Sequence, residues 1–300
     1  MKVLIVGGAG MLGHKLWQVF STRFDTYATV RQPLAAYARY GIFDPERLRG
    51  GVDAFQFDSL VRAVADLKPD VVINCIGIIK QQAEAYDQVY ALTINAILPH
   101  KLKSLCQVAG ARMIQMSTDC VFSGRRGMYT EEDESDATDQ YGRSKFLGEV
   151  TGDGCLTIRT SLIGRELSTH YGLVEWFLGN VGQTVKGYTN AIFSGFPTMV
   201  LAEILANIIE NLPSLSGVWQ VSSDPISKYD LLRLIRSAYN LDVEIEPYEA
   251  FRADRSLDST RFRATTGFSP PPWSEMVQRM AEDPTPYNQW RLKQQHYFSP

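Results

Sequence analysis

The sequence lacks the features typical of membrane-spanning, nucleic-acid-binding and disulfide-stabilised proteins. Its first apolar run, at residues 3–6, breaks at a glycine pair, whereas a signal peptide needs about 7–15 apolar residues and a membrane span about 20. The net charge of −3 gives no electrostatic reason to bind nucleic acid or an anionic membrane. The four cysteines show no C-x-x-C spacing, so free thiols are expected. We therefore expect a cytoplasmic protein with no nucleic-acid or membrane partner and no metal site.

Short apolar runs alternate with amphipathic stretches through the first half of the chain. Predicted buried strands, rich in β-branched side chains, lie at residues 3–6, 26–30, 71–75 and 113–117. Predicted helices lie at residues 11–22, 59–67, 92–109 and 141–150, and Gly110 ends the third of them. This alternation predicts an α/β fold with a Rossmann-like, doubly wound parallel sheet.

The second half of the chain is less regular. It contains a predicted strand at residues 156–160, a helix at 199–211, a strand at 218–222 and a helix at 227–239 that begins with a capping-box-like pair, Ser227 and Asp230. The length suits a dinucleotide-binding domain plus a smaller lobe. We predict that the first domain covers residues 1–165 and is rejoined by a strand near 218–223. Residues 166–300 then form mainly a smaller C-terminal substrate-binding lobe.

A glycine-rich turn follows the first predicted strand and opens the first predicted helix. Glycines at its three key positions allow a tight turn, close approach of the backbone to a pyrophosphate, and close helix–strand contact. The helix N-terminus supplies oriented amides and a partial positive charge for phosphates. In this context the motif predicts dinucleotide binding by Gly7, Gly10, Met11, Leu12 and Gly13.

Two further residues bear on which dinucleotide is bound. Arg31 follows the second predicted strand, where folds that prefer NAD usually offer a carboxylate, and an arginine there can clamp a 2′-phosphate. A solvated surface arginine is the alternative. Asp58 is placed to meet the adenine edge, and a helix N-cap is the alternative. We predict NADPH as the preferred cofactor, with NADH possible.

Tyr141 and Lys145 stand four residues apart at the head of a predicted helix, on one helical face. A tyrosine hydroxyl titrates at about pH 10 unaided, and a neighbouring ammonium stabilises the phenolate. Thr118 follows the fourth predicted strand, at the edge where open α/β sheets bind ligands, and can hydrogen-bond a substrate carbonyl. These residues predict reduction of a keto group, with Tyr141 as proton donor. A surface Tyr and Lys with a buried Thr is the alternative.

Together these motifs resemble those of extended short-chain dehydrogenases, most closely the dTDP-4-dehydrorhamnose reductase group. The matching segments are residues 7–13, 71–77 (VVINCIG), 117–124 (STDCVFSG), 141–149, 158–161 (IRTS) and, more weakly, 196–202 and 254–261. The resemblance implies that Thr118, Tyr141 and Lys145 form a catalytic triad. It also implies a cofactor groove lined or supported by Cys75, Ile76, Gly77 and Asn95.

The same resemblance implies a nucleotide-linked deoxysugar as substrate and a homodimer as the assembly. Its implied substrate contacts are Asp119, Cys120, Val121, Phe122 and Arg255. The helices at 92–109 and 141–150 would pair two copies. The first of these helices is apolar beyond a single stripe and therefore needs a second partner surface.

Two positions depart from the reductase group, which usually has Tyr at Cys120 and Trp at Leu162. Cys120 resembles the cysteine that GDP-fucose synthase uses for epimerisation, and Glu166 stands nearer than His170 to the place of that family's companion histidine. A 4,6-dehydratase is disfavoured because such enzymes carry Asp-Glu after the catalytic Thr. We predict an NADP(H)-preferring reductase of a keto group, at C4, on a nucleotide-linked deoxysugar. The alternatives are an epimerase-reductase and a non-catalytic NAD(P)-binding regulatory subunit.

Overall fold

A computed structural model of the chain describes residues 1–79, Gln82 and residues 86–291. Its strands are β1 (Lys2–Val6), β2 (Asp25–Thr29), β3 (Leu48–Arg49), β4 (Val71–Asn74), β5 (Arg112–Met116), β6 (Cys155–Arg159), β7 (Leu162–Ile163), β8 (Thr184–Phe193), β9 (Phe196–Pro197), β10 (Gly217–Gln220), β11 (Ile226–Ser227) and β12 (Glu244–Asp254). Its α-helices are α1 (Met11–Phe20), α2 (Phe57–Leu67), α3 (Gln88–Leu92), α4 (Leu98–Ala109), α5 (Gln140–Leu147), α6 (Leu173–Leu178), α7 (Thr198–Asn211), α8 (Lys228–Ala238), α9 (Thr260–Thr266) and α10 (Trp273–Ala281). Among these helices none is both long enough and apolar enough to cross a membrane.

A seven-stranded parallel sheet lies at the centre, in the order β3-β2-β1-β4-β5-β6-β10. The side chains of Val3, Leu4, Ile5 and Val6 in β1 are fully buried, as expected for a strand covered by helices on both faces. The chain order reverses between β1 and β4, which places a ligand-binding crevice at the carboxyl ends of these strands. The predicted doubly wound fold is confirmed.

The last strand of this sheet comes from the second half of the chain. Strand β10 pairs in parallel with β6, with Gly217 opposite Leu156, so the strand predicted near 218–223 does join the main sheet. The exact domain boundary at residue 165 stays a prediction. Part of the predicted lobe, residues 292–300, lies outside the described residues.

A second sheet of three strands was not predicted from the sequence. Strands β8 and β12 pair in parallel, with Thr184 opposite Glu244, and β11 pairs with β8 in antiparallel fashion. The register of the long pair shifts between Tyr248 and Arg252. Helix α8 packs against β8 and begins at Ser227, whose hydroxyl accepts a hydrogen bond from the Asp230 amide at 3.0 Å, as the capping pair predicted.

The long helix predicted at residues 92–109 is interrupted. A π-helical turn, Thr93–Ile97, separates α3 from α4. Pro99 accounts for the irregularity, because it lacks the amide that would bond the Asn95 carbonyl four residues earlier in a regular helix. Helix α4 then ends where predicted, at Gly110, which has a left-handed φ of 69°.

Candidate active site

A cleft of about 690 Å³ opens at the carboxyl ends of the central strands. It brings together many of the predicted site residues: Gly10, Met11, Leu12, Cys75, Ile76, Gly77, Thr118, Asp119, Cys120, Tyr141, Lys145 and Arg255. The three-stranded sheet and the segment before it form the opposite wall, with Trp176, Lys186, Tyr188, Lys228 and Phe251. Sequence reasoning missed this wall, because neither the second sheet nor its face toward the cleft was predicted.

The glycine turn, residues 7–13, leads from β1 into α1. Gly7 has a φ of +91°, and a Cβ added to Gly13 would lie 2.2 Å from the Gly7 carbonyl oxygen, so both positions require glycine. No side chain of the described residues caps helix α1, and its first turn carries no acidic residue. The first amides of α1 are therefore free to bind an anion. Gly10, Met11 and Leu12 present this helix start to the cleft, which fits the pyrophosphate of a dinucleotide.

Asn95 lies behind the cleft wall and connects two of its parts. The side chain is buried. Its Oδ1 accepts from the Ile78 amide at 2.9 Å, and its Nδ2 donates to the Ile78 carbonyl at 3.0 Å and to the Ser144 hydroxyl at 3.1 Å. Asn95 thus ties the loop after β4 to helix α5. It supports the groove as the resemblance implied, but it does not line it.

Helix α5, which carries Tyr141 and Lys145, is seated closely on its neighbours. A Cβ added to Gly142 would lie 2.1 Å from the Cys120 carbonyl oxygen, and one added to Gly148 would lie 1.8 Å from the Asn95 carbonyl oxygen. The Asp139 carboxylate caps the helix by accepting from the Gly142 amide at 2.8 Å. The position of α5 relative to the turn that carries Thr118 and Cys120 is therefore fixed by backbone contact.

Burial dominates the protonation of the groups in the cleft. It lowers the pKa of Lys145 to about 8, while nearby Glu149 and Cys75 act to raise it. The Lys145 ammonium donates to the Met116 carbonyl at 2.7 Å. Burial and the neighbouring Cys120 raise the pKa of Tyr141, and a hydrogen bond with Thr118 lowers it. The expected lowering of the Tyr141 pKa by Lys145 is thus not found: in this structure Tyr141 is a phenol, able to donate a proton.

A buried ion pair lies beneath these groups. The Arg159 guanidinium donates to both carboxylate oxygens of Glu149 at 2.8 Å, and the Ser117 hydroxyl donates to Glu149 at 2.6 Å. Both charged side chains are less than a tenth exposed. This pair fastens the end of α5 to β6 and keeps a negative charge near Lys145.

Two predicted substrate contacts, Val121 and Phe122, have side chains outside the cleft lining, so their contact with a substrate stays a prediction. Both side chains are fully buried and pack with Tyr129 and Leu257 in a separate small core. The rings of Phe122 and Tyr129 are stacked, with centroids 4.2 Å apart. The short helical turn Asp119–Val121 directs these apolar side chains away from the cleft. The Phe122 backbone still contributes, because its carbonyl accepts from Arg255 Nε at 2.9 Å and holds Arg255 at the cleft.

Arg31 and Asp58 lie on the surface and outside the set of residues that line the cleft. Arg31 follows Val30 at the carboxyl edge of the sheet, so its predicted contact with a 2′-phosphate stays a prediction. Asp58 lies within the first turn of α2, and Gln56 is the N-cap. The N-cap alternative for Asp58 is therefore wrong, and its adenine contact stays a prediction.

Glu166 lines the cleft, but its carboxylate already binds the backbone. Its two oxygens accept from the Tyr171 amide at 3.0 Å and the Gly172 amide at 3.1 Å. Burial raises its pKa, and a hydrogen bond from Thr169 acts in the opposite direction. Glu166 therefore shapes the loop at residues 166–172.

The fold, the glycine turn and the Tyr141–Lys145 pair define the class of extended short-chain dehydrogenases. Within that class, the chain belongs to the family described as the RmlD substrate binding domain, whose model matches residues 1–285. The predicted resemblance to dTDP-4-dehydrorhamnose reductases is confirmed at this level.

Three similar proteins illustrate the range of this likeness. Methionine adenosyltransferase 2 subunit beta of Danio rerio is 26% identical over 255 residues, which cover 80% of this chain and 74% of that protein. A dTDP-4-dehydrorhamnose reductase of Burkholderia thailandensis is 30% identical over 168 residues, covering 54% and 50%. The crystal structure of a hypothetical dTDP-4-dehydrorhamnose reductase from Sulfolobus tokodaii has a TM-score of 0.76 and 26% identity, covering 91% and 98%. The two reductase names agree with the predicted oxidoreductase class.

Lys145 creates a pH dependence of stability that can be measured. Its pKa is about 8 in the folded chain against an ordinary 10.5, so between these values the unfolded chain binds a proton that the folded chain does not. The cost of charging the buried amine is fully present below pH 8 and is lost as the pH rises to 10.5. Lys145→Met removes this cost. Its free energy of unfolding relative to wild type is expected to fall by about 2 kcal/mol between pH 7.5 and 10.

Urea denaturation at both pH values measures this difference, with the exposed Lys101→Met as the matched control. If the free energy of unfolding of Lys145→Met relative to wild type is the same at pH 7.5 and pH 10, the assigned cost of burying Lys145 is contradicted.

Proposed function

We propose that the chain is an NADP(H)-preferring reductase of a keto group, at C4, on a nucleotide-linked deoxysugar. The observation that carries this proposal is the meeting of Thr118, Tyr141 and Lys145 with the start of helix α1 in one cleft. An anion-binding helix start and a proton-donating phenol in the same cleft suit reduction of a carbonyl group. The two reductases among the similar proteins support the same reaction class.

The cleft supports a nicotinamide dinucleotide as cofactor. Gly10, Met11 and Leu12 would hold its pyrophosphate at the amides of α1, and Lys145 would bind the nicotinamide ribose. Cys75, Ile76 and Gly77 line the same cleft and would contact the cofactor between its pyrophosphate and its nicotinamide ribose. When bound, such a cofactor supplies the hydride for the reduction.

The residues of the chain supply the proton and the orientation of the substrate. The Thr118 hydroxyl, which donates to Asp119 at 3.0 Å in this structure, can turn to bind the substrate carbonyl oxygen. Tyr141 donates its proton to that oxygen as negative charge develops on it. Lys145, protonated below about pH 8, keeps a positive charge in the same cleft.

The opposite wall of the cleft suits a nucleotide-linked substrate. Lys186, Lys228 and Arg255 line it and bring cationic side chains to a chain of net charge −3. The rings of Tyr188 and Phe251 lie 5.2 Å apart between centroids, and each is more than a third exposed. Cations for a diphosphate and aromatic faces for a base are the expected recognition elements.

Reduction without epimerisation is the preferred form of the proposal. Cys120 lines the cleft as a proton-abstracting thiol would. Glu166, the candidate companion acid, has both oxygens engaged with backbone amides, which supports a role in holding the loop at residues 166–172 over a role in returning a proton. A regulatory role, suggested by the similarity to a methionine adenosyltransferase subunit, would not need the assembled proton donor.

Tyr141→Phe removes the proton donor and keeps the ring. The rate of NADPH oxidation with a dTDP-linked 4-keto-sugar is expected to fall by about 10²–10⁴-fold, with NADPH affinity nearly unchanged. Tyr27→Phe, which removes a phenolic hydroxyl far from the cleft, is the control. Retention of most activity by Tyr141→Phe would show that another group is the acid, and an inactive wild type on dTDP-, UDP- and GDP-linked keto-sugars would favour a regulatory role.

Arg31→Ala tests the cofactor preference. Only NADPH carries the 2′-phosphate, and charge-assisted hydrogen bonds contribute about 1.5–3 kcal/mol. The NADPH dissociation constant is therefore expected to rise about tenfold to a hundredfold, with little change for NADH. Fluorescence titration of both cofactors measures this, and the exposed Arg236→Ala is the control. Equal losses for the two cofactors would mean that Arg31 does not contact the phosphate.

A second copy of the chain is the proposed partner of the surface formed by α4 and α5. Much of the apolar character of residues 92–109 is used internally, since Ile94, Leu98 and Leu102 are buried. Apolar side chains nevertheless remain more than a third exposed on α4 and α5 and on the α3 and π-helical segments that precede α4: Val89, Leu92, Ile97, Val108, Phe146 and Leu147. A groove of about 570 Å³ runs along α4 between Phe57 and Val108. Exposed apolar side chains beside an apolar groove support a partner-binding role for this surface.

Light scattering at micromolar concentration is expected to give the mass of a dimer for the wild type. Leu147→Glu places a charge in the proposed interface and is expected to give a monomer. Val181→Glu, at an exposed apolar residue after α6, is expected to remain dimeric. A monomeric wild type would contradict the dimer.

A further inference from the structure

Residues 283–291, here called the C-terminal segment, lie against helix α1. The Asp283 carboxylate forms an ion pair with Lys15, and both side chains are less than a tenth exposed. The Thr285 hydroxyl accepts from Lys15 Nζ at 3.1 Å and from Gln18 Nε2 at 3.0 Å. The segment is thus bound to the helix that begins at the glycine turn.

A buried histidine connects this segment to the glycine turn itself. His14 is fully buried, with Nδ1 2.8 Å from the Gly10 carbonyl oxygen and Nε2 2.7 Å from the Tyr287 hydroxyl. Burial lowers the pKa of His14 to about 4, so the ring is neutral at pH 7. A carbonyl can only accept, so Nδ1 carries the hydrogen, Nε2 is the acceptor, and the Tyr287 hydroxyl donates to it.

This chain of hydrogen bonds ends at the Gly10 carbonyl, and that carbonyl determines the direction of the Met11 amide. The peptide bond between Gly10 and Met11 is planar and trans, so its N–H points opposite to its C=O. The Gly10 carbonyl points along α1, where it accepts from both His14 Nδ1 and the His14 amide. The Met11 amide therefore points away from the helix, on the side where Gly10 and Met11 line the cleft.

The C-terminal segment also holds the loop across the groove from the glycine turn. Asn288 Oδ1 accepts from Arg165 at 2.7 Å, and Arg291 donates to the Glu166 carbonyl at 3.0 Å. That loop meets the turn at Gly172, where an added Cβ would lie 2.7 Å from Met11 Cε. One segment thus fixes both sides of the groove at this point.

We propose that Tyr287 is a positioning residue that fixes the glycine turn through His14 and so prepares the Met11 amide for a cofactor pyrophosphate. The inference rests on the proposed function only in that the turn binds a dinucleotide. Tyr287 is not among the residues that line the cleft, so its effect is expected on cofactor affinity and not on proton transfer. Holding a binding group in its bound orientation raises affinity by removing the cost of ordering it.

Tyr287→Phe removes the donor to His14 and keeps the ring. The dissociation constant of NADPH, measured by fluorescence titration, is expected to rise about tenfold, the effect of one lost buried hydrogen bond. The turnover rate at saturating NADPH is expected to stay within about twofold, because the acid Tyr141 is untouched. Tyr129→Phe is the matched control, since its buried hydroxyl accepts from the Arg126 amide at 3.3 Å in a different core.

A second readout follows the histidine directly. Imidazole ¹⁵N chemical shifts report which ring nitrogen carries the proton, and the His14 signals are assigned by their loss in His14→Leu. The wild type is expected to show a single neutral tautomer with hydrogen on Nδ1, fixed by the Gly10 carbonyl, and an Nε2 signal shifted by the hydrogen bond from Tyr287. Tyr287→Phe is expected to keep this tautomer and to move the Nε2 signal, and an Nε2 signal that does not move would overturn the relay.

A double-mutant cycle separates the relay from general destabilisation. His14→Leu removes the other half of the relay, so the double variant is expected to bind NADPH no more weakly than the weaker single variant. Additive losses would overturn the inference, as would wild-type affinity in both single variants. If Tyr287→Phe does not fold, His14→Leu alone is expected to raise the NADPH dissociation constant about tenfold. An unchanged NADPH dissociation constant in His14→Leu would then overturn the inference. Failure of the wild type to bind NADPH would overturn the proposed function as well, which distinguishes the two failures.

Discussion

The seating of helix α5 on the backbone of its neighbours is the constraint on which the site depends. Two glycines remove the side chains that would keep the helix away, and the Cys120 and Asn95 carbonyls occupy the space. A helix in backbone contact at both ends can neither rotate nor slide without a clash. The reactive side chains that α5 presents to the cleft therefore keep fixed positions relative to the strand end that carries Thr118. The position of α5 is therefore fixed because Gly142 and Gly148 have no side chains.

The buried charged side chains under the cleft lower the stability of the fold. Lys145, Glu149 and Arg159 are each less than a tenth exposed, and removing such groups from water is unfavourable even when they are paired. The pair between Glu149 and Arg159 is bidentate, which satisfies the carboxylate in the best available geometry. Apolar residues would fill the same space at lower energetic cost. One effect of the retained charges is that Glu149 acts to raise the pKa of the buried Lys145.

Sequence patterns predicted the central sheet well because its strands are buried on both faces. In β4, for example, residues 71–73 are all apolar and only Asn74 is polar. The helices between successive strands imply that the strands are parallel. The glycine turn and the Tyr141–Lys145 spacing were equally visible, since local geometry dictates both. The second sheet was not, because β8 alternates and carries Lys, Gly and Asn. Strand β12 pairs with it across about 60 residues, a separation that no local pattern records.

Individual side chains were hardest to place where the chain turns. Val121 and Phe122 belong to a segment that matches a known motif, yet a one-turn helix sends them into a core of their own. The resemblance covered these residues together with the rest of the segment, and it does not record which side chains the turn directs away from the cleft. The connection from Tyr287 to Gly10 spans nearly the whole chain. Such a contact has no sequence signature, because a buried tyrosine is more simply explained as packing.

The separation between β8 and β12 also bears on the order in which the molecule forms. Strand β1 pairs with β2 close by in sequence, with Lys2 opposite Asp25, whereas the β8–β12 pair requires closure of a loop of about 60 residues. Loop closure costs entropy before the contacts that repay it are made, and long-range pairing slows folding. A refolding chain is therefore expected to form its glycine turn before the wall that carries Lys186 and Tyr188. The half of the cleft that contains the start of α1 would then be the template on which the other half closes.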